Sequence, residues 1–158
     1  MKIKLALQRT VSVVFAVVCM VTAGCGGVYD ASVKGVVTLD GSPINRGTVA
    51  YSPSNDGPTA YGRIDSDGSY FLRTGREEGI PSGQYNITVV ANEPPEKKRS
   101  ESGGPPPAGK PITPAWYRSK KTSGLQFTVN SGSNEINLEL TSEPPADWNP
   151  PKRKRRRR

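Results

Sequence analysis

The chain has 158 residues, is rich in glycine (17) and proline (15), and carries a formal net charge of +8. This length allows one small domain, and the composition favours short strands joined by turns over long helices. The sequence contains no histidine, which excludes Ser-His-Asp and Cys-His nucleophile pairs, histidine acid–base catalysis and the commonest metal ligand.

The positive charge is concentrated at the two ends of the chain. Of the 22 basic residues, three lie within the first nine positions and seven form the run from Lys152 to Arg158, which leaves 12 basic residues against 14 acidic ones between them. The central region is therefore slightly acidic. We expect no basic groove for nucleic acid in the folded part.

The first 24 residues have the order of a signal peptide. Residues 1–9 carry three positive charges and no acid, and the apolar run from Val11 to Val21 follows them. As a helix this run would rise only roughly 16 Å, well short of the ~30 Å hydrocarbon layer of a membrane. We therefore expect a targeting segment that is removed, not a permanent membrane span.

The leader ends in Ala23-Gly24-Cys25, which resembles the lipobox of bacterial lipoproteins. The resemblance implies that Cys25 is acylated, becomes the mature N-terminus and holds the protein on the extracytoplasmic side of a membrane; more than one acyl chain would anchor it stably. Thr22 stands where the lipobox usually has leucine, so ordinary secretion with an unmodified Cys25 stays open. Cys19 lies in the leader, so the mature chain cannot form an internal disulfide.

Apolar residues alternate with polar ones in seven short bursts over residues 32–142, after a tether at residues 25–31. This period of two is typical of half-buried strands, and the short turns between the bursts favour antiparallel neighbours. We predict an all-β domain, a seven-stranded antiparallel β-sandwich. The predicted strands contain Val33/Gly35/Val37/Leu39, Val49/Tyr51, Ala60/Gly62/Ile64, Tyr70/Leu72, Tyr85/Ile87/Val89/Ala91, Leu125/Phe127/Val129 and Ile136/Leu138/Leu140.

The order of these segments resembles a known family. The segments 33–44 (VKGVVTLDGSPI), 61–72 (YGRIDSDGSYFL) and 80–90 (IPSGQYNITVV) are similar to the carboxypeptidase regulatory-like (transthyretin-like) domain, in particular its small lipoprotein form in planctomycete-type bacteria; residues 134–140 match its closing strand. The resemblance implies a prealbumin-like sandwich that serves as an accessory or binding module and is not an enzyme.

Two groups of carboxylates are candidates for chemical sites. Asp65 and Asp67 precede Gly68 as in the start of a calcium loop, but the twelfth position of an EF-hand, a glutamate, is here Arg76. A hairpin turn is the prediction, and a loose surface cation site the alternative. Glu77 and Glu78 are adjacent in an extended segment, so they point to opposite sides and are expected in a solvated loop.

Residues 93–114 form a proline-rich insertion with seven prolines, in which we expect no regular structure. Trp116 and Tyr117 follow it, and they either dock on the domain or form part of a binding surface. The sequence does not distinguish these two roles.

Residues 143–158 are predicted to form a disordered proline-rich and basic tail. Its charges should attract anionic envelope lipid or polysaccharide by about 1 kcal/mol per residue near a charged membrane, screened by salt. A merely solvated tail is the alternative, and nucleic acid is not an expected partner of an exported chain. The basic residues are Lys152, Arg153, Lys154, Arg155, Arg156, Arg157 and Arg158.

The sequence as a whole predicts a lipid-anchored binding or accessory module of the cell envelope, with no catalytic residue, no metal site and no cofactor. Its protein partner is not specified. Two alternatives remain: a secreted, unanchored adhesin or matrix protein, and a hydrolase or transferase that uses an unrecognised carboxylate site.

Overall fold

The computed structural model describes residues 28–95, 109–146 and 148–150. These residues form a mostly β structure, and the described part contains no α-helix, so the all-β prediction is confirmed. A single turn of 3-10 helix lies at Ala115–Arg118. The strands are β1 (Ala31–Leu39), β2 (Ser42–Pro43), β3 (Gly47–Pro53), β4 (Ala60–Ile64), β5 (Ser69–Thr74), β6 (Glu77–Glu78), β7 (Gly83–Val90), β8 (Gln126–Val129), β9 (Gly132–Glu135) and β10 (Leu138–Leu140).

The alternation of apolar residues locates all seven predicted strands, but Phe127, which is predicted on the inward face of the sixth, is 36% exposed. In β4, for example, Ala60, Gly62 and Ile64 are buried while Tyr61 and Arg63 are exposed. The strands that the pattern does not predict are β2, β6 and β9. They are short and largely solvent-exposed, so they carry no apolar alternation that could identify them.

The strands form one sheet in the order β10-β1-β5-β4-β3-β7-β8, with β2 and β9 also paired to β1 and β6 paired to β5. Five strand spacings separate β8 from β1, which is about 24 Å in a flat sheet. Yet β8 ends at Val129 and β9, on β1, begins at Gly132, and three residues of chain span at most about 11 Å. The sheet must therefore curl until its two edges approach each other.

One feature of the strand pairing differs from the fully antiparallel arrangement that we predict from the short connections. Both β9 and β10 run parallel to β1, so the prediction is wrong at this edge, whereas β3, β4, β5 and β7 pair in antiparallel fashion. Parallel strands need a crossover connection. Here the whole body of the sheet between β1 and β9 serves as that crossover, and local periodicity does not reveal it.

Three buried tyrosines lie together in the core. The ring of Tyr51 lies 6.3 Å from that of Tyr70 and 5.9 Å from that of Tyr85. The Tyr70 hydroxyl donates to the Ile136 carbonyl at 2.7 Å and lies 2.7 Å from the Tyr51 hydroxyl. Because Tyr70 uses its one proton on Ile136, Tyr51 donates to Tyr70. Burial raises the pKa of Tyr70 to about 12 and raises the pKa of Tyr51 as well.

The passage from β9 to β10 lies directly against β1 at Gly35. A Cβ atom at Gly35 would lie 1.9 Å from the Ile136 carbonyl oxygen, so only glycine fits there. Side chains take over the pairing at this break: Val36 N–H donates to Asn137 Oδ1 at 2.9 Å, and Asn134 Nδ2 donates to the Ser32 carbonyl at 3.2 Å. The closing edge of the sheet thus depends on the absence of a side chain at Gly35 and on the side chains of Asn134 and Asn137.

The two ends of the proline-rich insertion are held to the domain, while residues 96–108 lie outside the described part. Glu93 N–H donates to the Lys110 carbonyl at 2.8 Å, and Asn92 forms a β-bridge with Pro111. Thr113 is 1% exposed, and its hydroxyl accepts from Ala91 N–H at 3.0 Å. Residues 93–95 and 109–114 are thus attached to the domain, although they form no helix or strand.

Trp116 and Tyr117 dock on the domain, which decides between the two roles that the sequence left open. Both are buried, and the Tyr117 hydroxyl accepts from Thr141 N–H at 3.0 Å. The Trp116 ring meets the Trp148 ring edge to face at 5.6 Å. The chain therefore stays in contact with the core beyond Ser142, where the sequence places the end of the domain.

Candidate functional site

The outer face of the curled sheet carries aromatic and basic side chains on neighbouring strands. Tyr61 and Phe71 are 56% and 40% exposed, and Arg63 lies opposite Phe71 as Tyr61 lies opposite Arg73. Opposed side chains on one face of a sheet are about 5 Å apart, so aromatic rings and guanidinium groups are interleaved. The two cross-strand rows are Glu135, Lys34, Phe71, Arg63, Thr48, Val90 and Glu78, Arg73, Tyr61, Ala50, Thr88.

Part of this face forms the floor of a groove of about 590 Å³, which we call the outer groove. Its floor is the outer face of β3, β4 and β7, and the end of the 3-10 helix with the turn after it forms one wall. Ala50 is the smallest side chain of the floor and lies between Tyr61 and Thr88 in the ladder, which creates the depression. The lining residues are Thr48, Ala50, Ser52, Thr59, Tyr61, Thr88, Val90, Arg118, Ser119 and Lys120.

The outer groove contains hydroxyl groups and positive charge but no carboxylate. Its only charged lining residues are Arg118 and Lys120. Arg118 Nη2 donates to Asn92 Oδ1 at 2.9 Å, which orients the guanidinium group. In residues 28–95, 109–146 and 148–150 the one ion pair joins Arg73 to Glu78, so Arg118 and Lys120 have no carboxylate partner there. The groove is suited to hold an anion together with hydrogen-bonding groups.

The Asp65–Gly68 segment is the hairpin turn between β4 and β5, as predicted. Gly68 has a φ of +86°, and Asp67 Oδ1 accepts from the Ser69 backbone N–H at 3.0 Å and from its hydroxyl at 2.7 Å. These hydrogen bonds lower the pKa of Asp67. Among the described residues no three Cys, Asp or Glu side chains are grouped to hold a metal ion.

Glu77 and Glu78 form the short strand β6 beside β5, where a solvated loop was expected. Both are exposed, and Glu78 is ion-paired with Arg73. They follow the end of β5, whereas Asp67 precedes its start, and the six residues of β5 span roughly 17 Å. Paired catalytic carboxylates act within about 10 Å of each other, so the two acidic groups do not form one site.

The remaining sites predicted from the sequence, Cys25 and the basic run Lys152–Arg158, lie outside the described residues. The leader, residues 1–24, lies outside them too. In the part of the chain that the structure describes, no helix has the length and apolarity needed to span a membrane.

The sequence does not predict the outer groove. The sequence does indicate part of its floor, because Tyr61 occupies an outward position of β4, whose inward residues are predicted correctly. The net charge of the central region does not show where its charges lie: among the described residues, Lys34, Arg63 and Arg73 lie on this face, with Glu78 and Glu135 at the ends of its rows. The wall was not predictable, since no local pattern shows that Arg118 returns to the sheet beside β7.

Comparisons of the chain with protein-family models, with curated proteins and with solved structures find no match.

Proposed function

We propose that this protein is an exported lipoprotein, acylated at Cys25, whose β domain is a binding module at the cell envelope without a catalytic role. The observation that carries the binding role is the outer groove, which presents hydroxyls and an exposed tyrosine ring on a sheet, beside two cations of the 3-10 helix and the turn after it. Rigid elements hold such groups in fixed positions, as a binding surface requires. Among the described carboxylates, Asp30, Asp40 and Asp67 accept backbone N–H hydrogen bonds and Glu78 is ion-paired.

The leader and the start of the domain support the membrane attachment. Cys25 closes a sequence with the order of a signal peptide, and β1 begins at Ala31. The chain between these two residues reaches at most about 21 Å. An acylated Cys25 would therefore hold the domain close to the membrane surface, where the basic run Lys152–Arg158 could meet anionic lipid or polysaccharide.

The finer architecture belongs to the same proposal. We interpret the curled sheet as a prealbumin-like β-sandwich of the carboxypeptidase regulatory-like type. The turn at residues 130–131, where the chain leaves β8 and joins β1 through β9, is the kind of corner at which a strand passes from one sheet of a sandwich to the other. Asn134 supports this corner by accepting from Asn130 N–H at 2.9 Å.

Fractionation of cells that express the full chain tests the attachment. We expect the protein in the membrane fraction, and we expect Cys25→Ser to release it or to leave it unprocessed. Cys19→Ser is the matched control, because it makes the same change inside the leader, and it should remain in the membrane. If Cys25→Ser stays membrane-bound and fully processed, the lipoprotein assignment is wrong, and a soluble exported wild type would identify the unanchored secreted alternative.

A further inference from the structure

The outer groove has the size and chemistry of a site for part of a polymer. Its volume of about 590 Å³ lies within the range of about 300–1,000 Å³ typical of ligand pockets. It is an open groove on a sheet face, so a chain could enter and leave at its ends.

We propose that the outer groove binds a segment of an acidic polysaccharide, that is, a chain of sugar rings that carry carboxylate groups. This inference rests on the proposed function, because export to the envelope places the groove among glycans and away from nucleic acid. The sugar ring would lie against Tyr61, and its carboxylate would lie at Arg118 and Lys120.

The cationic wall supplies the recognition of the acid. Arg118 is held by its hydrogen bond to Asn92, and that bond uses one of five guanidinium N–H donors. The others can form the paired hydrogen bonds that a carboxylate accepts. Lys120 adds a second charge two residues along the same turn, and no acidic residue lines the groove.

The floor supplies the recognition of the sugar. Tyr61 is 56% exposed, and the apolar C–H face of a pyranose ring gains dispersion and hydrophobic contact on such a ring. The hydroxyls of Thr48, Thr59 and Thr88 line the same groove. Each can donate and accept, which matches the hydroxyl groups of a sugar. A bare phosphate or a simple anion would leave the tyrosine and this hydroxyl floor without contacts.

Calorimetric titration of the full chain in detergent with a uronic acid oligomer tests the proposal, with the methyl-esterified oligomer and a thymidine oligonucleotide as competing probes. The basic tail could bind the same oligomer but is identical in every variant, so a loss of affinity in a groove variant is assigned to the groove. Arg118→Ala combined with Lys120→Ala should weaken binding of the acidic oligomer at least tenfold. Tyr61→Ala should weaken it about tenfold, and Ala50→Gln, which fills the floor, should do the same.

Matched controls separate the groove from general charge and folding. Arg76→Ala removes an exposed cation outside the groove, and Phe127→Ala removes an exposed aromatic ring outside it; both should bind within about twofold of the unmodified chain. Thermal melting of each variant confirms that it is folded.

Equal losses in Arg76→Ala and in the Arg118 and Lys120 variant would overturn the proposal, and so would groove-dependent binding of the oligonucleotide in preference to the saccharide. Unchanged binding in the groove variants while Cys25 is acylated would refute the saccharide site alone. Groove-dependent saccharide binding by an exported wild-type chain whose Cys25 proves to be unacylated would instead refute the proposed anchoring alone.

Discussion

Replacing Gly35 by alanine tests how the curled sheet closes. The new Cβ would lie 1.9 Å from the Ile136 carbonyl oxygen and 3.2 Å from Tyr70 Cε1. The backbone at Ile136 would therefore have to retreat by more than 1 Å to reach a normal contact distance of about 3.5 Å. It cannot do so without disturbing the pairing between β1 and the last two strands.

Three hydrogen bonds depend on that position. Ile136 N–H donates to the Lys34 carbonyl at 2.9 Å, Tyr70 donates to the Ile136 carbonyl at 2.7 Å, and Val36 N–H donates to Asn137 at 2.9 Å. Each contributes about 1 kcal/mol, and alanine returns about 0.5 kcal/mol by restricting the unfolded chain. We expect the free energy of unfolding to fall by about 2–3 kcal/mol and the melting temperature by roughly 10 °C.

The assay is urea unfolding followed by tyrosine and tryptophan fluorescence, with Gly75→Ala as the control. Gly75 has a φ of +64° and no atom within 4 Å of an added Cβ, so its replacement should cost only the backbone strain of about 1 kcal/mol. If Gly35→Ala is no more destabilising than Gly75→Ala, then Ile136 does not lie against β1 as described.

Three further predictions concern the buried tyrosines and the tail. Tyr70→Phe should reduce the free energy of unfolding by about 2–4 kcal/mol and Tyr51→Phe by about 1 kcal/mol. Only Tyr70→Phe leaves the buried Tyr51 hydroxyl donor and the Ile136 carbonyl unpaired. Equal losses in chemical denaturation would contradict this direction of the hydrogen bonds. Burial raises the pKa of Tyr70 from 10.0 to about 12, so between these pH values the folded state keeps a proton that the unfolded state releases. The free energy of unfolding should therefore be unchanged below pH 10 and fall as the pH rises from about 10 to about 12. A urea midpoint that stays constant over this range would contradict this prediction. Deletion of residues 152–158 should weaken binding to anionic vesicles at low salt and leave the melting temperature nearly unchanged, and undiminished vesicle binding in a sedimentation assay would remove the adhesive role of the tail.

The strands and most of the core can be predicted from the sequence, because inward and outward positions alternate along each strand and turn residues separate the strands. Gly35 shows the limit of that reasoning. It was placed correctly on the inward face of β1, but its reason for being glycine lies 101 positions further along the chain, at Ile136. The prediction of antiparallel pairing at β9 and β10 is wrong for the same reason. The direction and register of strands that are distant in the sequence depend on how the whole sheet closes and not on local periodicity.

The candidate site was less predictable than the core. Outward positions such as Tyr61 and Arg63 follow from the strand assignment, yet many outward residues only face water, and sequence alone does not rank them. The groove becomes a site because Arg118 and Lys120 meet the sheet from a distant segment. That meeting depends on the docking of Trp116 and Tyr117, for which the sequence offered two alternatives.

Mass spectrometry of the N-terminal peptide of the protein purified from the membranes of the cells that make it tests the central claim most directly. The account predicts a chain that begins at Cys25, lacks residues 1–24 and carries added mass from acyl groups on that cysteine. A chain that still contains its leader, or one that begins elsewhere with an unmodified thiol at Cys25, would contradict it.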